Sequence, residues 1–258
     1  MNTLVFDIET VPDVAFARRL HDFGDLPDEQ VAKAMFARRR QHTGGDFLPL
    51  EQQRVVAISC ALRKGDSFAL WSVGEPATPE GELVQRFFDG IAKFTPDLVS
   101  WNGSGFDLPV LNYRALLWGV TAPRFWETGE VETGFRYNNY LGRYHWRHTD
   151  LMDVLSGFSS RNRVSLANMA CLLGLPGKLG FGGDQVWDAF QRGDLPGIRR
   201  YCETDVLNTY LIWLRFERLR GHLTPEAHAA ELERVREYLR ASPEPHLAQF
   251  LAAWRAGA

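Results

Sequence analysis

The spacing of apolar residues changes character several times along this chain, and each change marks an element. LVFDIET (4–10) alternates and reads as a strand. Residues 13–50 are polar and mixed, which predicts an irregular or partly helical insertion. RVVAISCALRKGDSFALWSVG (54–74) splits into two strand-like runs around Lys64-Gly65-Asp66, a hairpin signal. Thr78-Pro79 opens a helix with Leu83, Phe87, Ile91 and Phe94 at helical spacing. PDLVSW (96–101) is a short apolar strand, and DLPVLNYRALLWG (107–119) a helix stopping near Gly119.

Residues 120–148 show no clear period. SLANMACLLG (165–174) predicts a short helix stopped by Gly174 and Pro176, and 195–221 the longest helix. Two more helices open at Thr224-Pro225 and Ser242-Pro243. In the last, Leu247, Phe250, Leu251 and Trp254 form one apolar face, a candidate docking surface for a protein partner. The order βββαβα followed by helices predicts an α/β fold, a mixed β-sheet flanked by helices. We divide it into a main domain over 1–221 and a helical C-terminal extension over 222–258.

Within the first strand, Asp7 and Glu9 share a face, while Phe6 and Ile8 take the other. At ~4 Å and an effective dielectric of ~20, their repulsion is on the order of 4 kcal/mol. Asp107 stands at a helix start, where an aspartate is most often an N-cap. Tyr201 and Asp205 are i and i+4 on the long helix and share a face. An aspartate inside a helix is most often solvated, yet Val206, Leu207, Tyr210 and Leu211 around it read as core. Together the strand, the turn and the helix can bring four carboxylates to one sheet edge. Oxygen-only ligation of this kind suits Mg²⁺ or Mn²⁺, and two such ions support in-line phosphoryl chemistry.

FDIET, WNGSGFDLP and YCETD occur in that order, and with them the sequence resembles the DEDD superfamily of 3′–5′ exonucleases. Among these it is most similar to the proofreading exonuclease domain of family-B DNA polymerases. HTDLMDVL and SLANMACLLGLPGK also resemble connecting segments of those domains, and the likeness runs over roughly residues 3–215. YCETD matches the tyrosine variant of the third motif; Arg200 stands where a histidine variant would differ. The resemblance implies an RNase H-like fold and a freestanding domain, since 258 residues leave no room for a polymerase. It implies that Asp7, Glu9, Asp107 and Asp205 hold two divalent ions, Mg²⁺ or Mn²⁺, and that Tyr201 orients the attacking water. Asn102 would support the site or contact the strand. The expected activity is metal-dependent 3′–5′ cleavage of single-stranded nucleic acid, DNA ahead of RNA. An exoribonuclease with the same site, an endonuclease on the same fold and a non-catalytic adaptor are the rivals; retention of all five residues argues against the adaptor.

RYNNYLGRYHWRH (136–148) interleaves arginines with rings and has no acid, the composition of a single-strand groove or of an aromatic hairpin with a solvated face. Arg143, Tyr144 and Trp146 are therefore candidate substrate contacts, with Phe106 and Lys178. Arg38, Arg39 and Arg40 read as a solvated helix end, with backbone phosphate contact as the alternative. GLPGK (174–178) fails the Walker pattern, and GFGGD (180–184) lacks the preceding strand of a dinucleotide site. Asp150 and Asp153 read as helix-start or structural acids.

Composition alters this picture little. With 29 Lys and Arg against 32 Asp and Glu, the net charge of −3 offers no global field for nucleic acid or anionic membranes, so such contacts must be local. Cys60, Cys171 and Cys202 show no C-x-x-C spacing. No apolar run approaches the ~20 residues of a membrane span, and the N-terminus does not resemble a signal peptide. The expectation is a reduced, cytoplasmic chain.

Overall fold

β1 (Asn2–Pro12) runs through the middle of a five-stranded sheet in the computed structural model, which describes residues 2–180 and 182–256. The strand order is β3-β2-β1-β4-β5, with β2 (Gln53–Lys64), β3 (Ser67–Ser72), β4 (Asp97–Ser100) and β5 (His148–Asp150). β1, β2 and β3 pair antiparallel, whereas β4 is parallel to both β1 and β5. The sheet is thus mixed. Gly65 has φ +55° in the tight turn joining β2 to β3, a conformation that glycine adopts without strain.

Alternation along β1 sorts its side chains between two helical layers. Leu4, Phe6 and Ile8 pack with Phe87 and Ile91 of α3 (Glu80–Phe94) and with Leu108 and Leu111 of α4 (Asp107–Trp118). Val5 instead joins Val206, Leu207 and Tyr210 of α8 (Leu195–Leu219). Asp7 and Glu9 have the parity of Val5, so they face α8.

The insertion forms two helices, α1 (Val14–Leu20) and α2 (Asp28–Thr43), with a small core of Ala17, Val31, Met35 and Leu48. The unpatterned stretch 120–148 ends at the first residue of β5, and α5 (Leu151–Leu155), α6 (Leu166–Leu172) and α7 (Val186–Gln191) follow. β5 has only three residues and α7 six, too few to show a period. Phe181 of the GFGGD stretch lies outside the described residues.

α9 (Pro225–Ala241) and α10 (Pro245–Ala256) share a hydrophobic cluster with α8. The Tyr238 hydroxyl donates to the Leu70 carbonyl at 2.9 Å and accepts from the Leu70 amide at 3.1 Å, satisfying the open edge of β3. Arg63 and Glu231 form a buried bidentate pair at 2.7 and 2.6 Å. Leu247, Phe250, Leu251 and Trp254 are all buried in this cluster. The apolar face expected to meet a protein partner is therefore occupied within the chain. No helix among the described residues is long and apolar enough to cross a membrane.

Candidate active site

β1 pairs with β4 only from Thr3 to Val5, but with β2 along its whole length. Asp7 and Glu9 thus lie past the end of β4, where the chain turns through Trp101–Phe106 into α4. A register shift between Glu9 and Thr10 marks a bulge, a device that re-aims neighbouring side chains.

The turn is held from β5. Both Asp150 oxygens accept backbone N–H groups, from Asn102 and Ser104, each at 2.9 Å. Asp150 also caps α5, accepting from the Asp153 amide at 3.3 Å. Asn102 has φ +69°, which asparagine tolerates better than most residues. A Cβ on Gly103 would fall 2.2 Å from the Ser100 Oγ, and one on Gly105 2.5 Å from the Asn102 Oδ1. At both glycines of the motif the space a Cβ would need is taken by a neighbouring side chain, Ser100 or Asn102.

Asp107 does not cap α4. It is the helix's first residue, and Phe106 occupies the cap position without a side-chain hydrogen bond. The Asp107 Oδ1 instead accepts from the Ile8 amide at 3.1 Å, tying the helix start to β1 between Asp7 and Glu9. From the other side α8 brings Tyr201 and Asp205, whose side chains hydrogen-bond each other. Cys202 lies between them and the sheet, its thiol donating to the Asp7 carbonyl at 3.4 Å.

These carboxylates perturb one another. Burial pushes Asp7 well above the usual carboxylate range, and the charges of Asp107, Glu9 and Asp205 push it further. Glu9 is raised in the same way by burial, then by Asp205 and Asp107. Burial takes Asp107 to about 7 despite the opposing amide hydrogen bonds, and Asp205 to about 6. Lys178 is the cation that favours ionisation of Glu9 and Asp205. One lysine against four gathered acids leaves a concentrated negative site of hard oxygen donors. Asp7, Glu9 and the Cys202 thiol bring ligand atoms within 4.8 Å of one another, a group able to hold a metal ion, and the surrounding carboxylate oxygens suit a divalent one.

A stability prediction follows from the sign of these shifts. A carboxylate whose pKa is raised on folding contributes stability that is full below its unfolded pKa of about 4. That contribution is lost as pH rises through about 6 for Asp205 and about 7 for Asp107. The metal-free protein should therefore lose stability over this window, and Mn²⁺ should restore it. At about 100 times its Kd a bound ion adds about 2.7 kcal/mol, roughly 5–10 °C in Tm for a chain of this size. Thermal melts with and without Mn²⁺ should show a larger gain at pH 8 than at pH 5.5. A gain independent of pH would detach these carboxylates from metal binding.

A groove of about 840 Å³ opens beside Glu9, with Phe106, Phe47 and Trp187 among its walls. Phe47 is 63% exposed, and its ring lies 5.4 Å from that of Phe106. Lys33, Phe36 and Arg40 of α2 extend this wall, so the insertion shapes the approach to the carboxylates. Sequence reasoning missed Phe47 and Trp187; a lone aromatic in the polar stretch GGDFLP was the available signal.

Arg143, Tyr144 and Trp146 of the arginine–aromatic stretch have partners within the fold. Arg143 gives its Nε and Nη2 to Asp153 at 2.8 Å each, and its Nη2 also to the Phe158 carbonyl. Asp153 also takes Arg163 at 3.1 Å. A cavity of about 470 Å³ separates this cluster from Ser104 and Gly105 of the turn before α4. Tyr144 packs edge-on against Phe158. Trp146 is covered by the Arg220 guanidinium, 3.8 Å from its ring centroid. Arg220 follows Asp205 by fifteen residues, about 22 Å along the helix direction. The structure does not bring Trp146 to the carboxylates, because this ring is spent on the far end of α8.

Residues 45–254 match a family model described as a predicted 3′–5′ exonuclease related to the exonuclease domain of PolB. The matched span contains Asp107, Tyr201 and Asp205; Asp7 and Glu9 precede it. The chain is 31% identical over 122 residues to a DNA polymerase of Pyrococcus glycovorans, covering 43% of this chain and 15% of the polymerase. It is 25% identical over 164 residues to a DNA polymerase of Archaeoglobus fulgidus, covering 63% of this chain and 20% of the polymerase. The likeness thus spans a fifth or less of the length of these relatives.

Proposed function

The chain belongs to the family of predicted 3′–5′ exonucleases related to the exonuclease domain of PolB, and we propose that it removes nucleotides from the 3′ end of single-stranded nucleic acid, DNA ahead of RNA. We read the fold as RNase H-like and the site as the tyrosine variant of the DEDD arrangement. The observation that carries this reading is the gathering of four mutually repelling carboxylates beside an aromatic-walled groove.

Asp7, Glu9, Asp107 and Asp205 would hold two divalent ions, Mg²⁺ or Mn²⁺, which when bound activate water and stabilise the leaving oxygen. The protein's own residues do the rest. The Ile8 amide fixes Asp107 against β1. Burial raises the Tyr201 phenol, so it stays neutral and serves as a hydrogen-bond partner that orients water. Phe106 and Phe47 offer faces for stacking the terminal base. Lys178 offsets negative charge near Glu9 and Asp205, and we assign it to meet a phosphate. Asn102 shapes the turn that presents Asp107, and Arg143 borders the cavity on the turn's other side. Tyr144 and Trp146 stay outside this assignment, since their rings pack on Phe158 and Arg220.

The test uses a 5′-labelled single-stranded DNA oligomer and its RNA twin with Mn²⁺ or Mg²⁺, and EDTA as control. A ladder shortening from the 3′ end, absent with EDTA, is expected, with DNA degraded faster. Binding without shortening on either oligomer would replace the nuclease by a non-catalytic adaptor.

A further inference from the structure

The basic residues of α2 divide sharply between its two sides. On the groove side they are neutralised: Lys33 pairs with Glu29 at 2.5 Å, and Arg40 with Asp46 at 2.7 Å. On the opposite side they are not. Arg38 and His42 make no hydrogen bond or ion pair among the described residues, and Arg39 uses its Nε on the Phe47 carbonyl at 2.7 Å. These three and His21 line a concavity of about 280 Å³ between α1 and α2, floored by buried Ala17 and Met35. No carboxylate among the described residues lines it.

A lone surface arginine is content in water. Two arginines and two histidines around an apolar-floored pocket, on a chain of net charge −3, make a local exception. Guanidinium groups with unused N–H donors match the geometry of phosphate oxygens. The pocket is also wired to the groove, because Arg39 holds the carbonyl of Phe47, whose ring lines the other side of the same segment.

We propose that this pocket binds a phosphate group, carried either by the nucleic-acid strand upstream of the cleaved end or by a free mononucleotide. Only the choice of carrier rests on the nuclease reading; the phosphate chemistry does not. An occupant would neutralise Arg38 and Arg39 and brace the loop that carries Phe47.

The experiment compares the full chain with its Arg38→Ala and Arg38→Glu variants, in EDTA so that cleavage is silent. One arm titrates inorganic phosphate and dTMP by calorimetry. The other measures single-stranded DNA binding across a salt series. Arg38 is exposed and unpaired, so the variants should fold; Arg86→Ala, on exposed α3 surface, is the control and should change nothing. The variants are expected to weaken phosphate binding about tenfold, the loss of one charge-assisted hydrogen bond. If the strand carries the phosphate, the salt slope should also fall by about 0.7 for each phosphate no longer held. Loss in the phosphate arm alone would assign the pocket to a free mononucleotide, and loss in the strand arm assigns it to backbone phosphate. No phosphate binding by the unmutated protein, with strand affinity and slope unchanged in both variants, would overturn the proposal. Absence of 3′-end cleavage would sink the nuclease reading and leave this result standing.

Discussion

Asp7→Asn should lower 3′-end cleavage about 10³-fold or more while leaving strand binding in EDTA within about twofold, because it removes charge from a site whose function is charge. Asparagine keeps the shape of aspartate, so the packing against Cys202 and the β1–β2 pairing survive. What disappears is a carboxylate that burial and three neighbouring acids push well above its usual range. The metal-free variant should therefore melt no lower than the unmutated protein, and its Tm gain on adding Mn²⁺ should shrink. That combination separates a ligand role from a structural one, which would lower Tm and activity together. Tyr201→Phe provides the contrast. It loses one hydroxyl beside Asp205 and no ligand charge, so turnover should fall by roughly 10²-fold with the Mn²⁺-dependent Tm gain kept. Cleavage rates and melts on the three proteins check both. Full activity in Asp7→Asn would remove β1 from the chemistry.

Why β1 was readable and its surroundings less so has a physical answer. Strand alternation is local, so Phe6 and Ile8 against Asp7 and Glu9 could be assigned to faces without knowing what lay opposite. The hairpin at Gly65 and the helix ending at Gly119 are likewise local, each set by a turn that glycine makes without strain. Asp107 was ambiguous because capping is the commonest local use of its position, whereas its actual partner is the amide of Ile8, 99 residues away. The stretch 136–148 left two readings open for the same reason. Its composition lacks acids, but Asp153 and Arg220 arrive from elsewhere to occupy Arg143 and Trp146. Amphipathicity in the last helix announced that a face is buried, and only the fold says that α8 and α9 bury it. The two-helix insertion has weak periodicity because both of its sides are partly wet, one along the groove and one around the basic pocket.

Arg114→Met should destabilise the fold by about 3–5 kcal/mol, the cost of leaving buried acids without their cation. Arg114 lies on α4 two turns beyond Asp107, and its Nη1 and Nη2 reach Asp13 and Glu80, each at 2.5 Å. All three side chains are nearly excluded from solvent, at 6%, 4% and 3% exposure. Each carboxylate also holds backbone. Asp13 caps α1 by accepting from the Phe16 amide, and Glu80 accepts from the Val55 amide as well as from the Trp118 indole. The arginine therefore joins the start of the insertion, the start of α3, β2 and the helix that begins with Asp107. Lysine should restore only part of the loss, since one ammonium cannot present the planar fork that spans two acids. For a chain of this size the expected fall in Tm is roughly 6–20 °C. Adding Glu80→Gln to Arg114→Met should recover part of it by removing one stranded charge. Calorimetric melts of the unmutated protein, Arg114→Met, Glu80→Gln and the double variant close the cycle, and an unchanged Tm in Arg114→Met would show that these acids tolerate burial without it. If the loss appears with cleavage retained at low temperature, the network acts by holding the insertion and α4 in place, and the chemistry belongs to the residues at their ends.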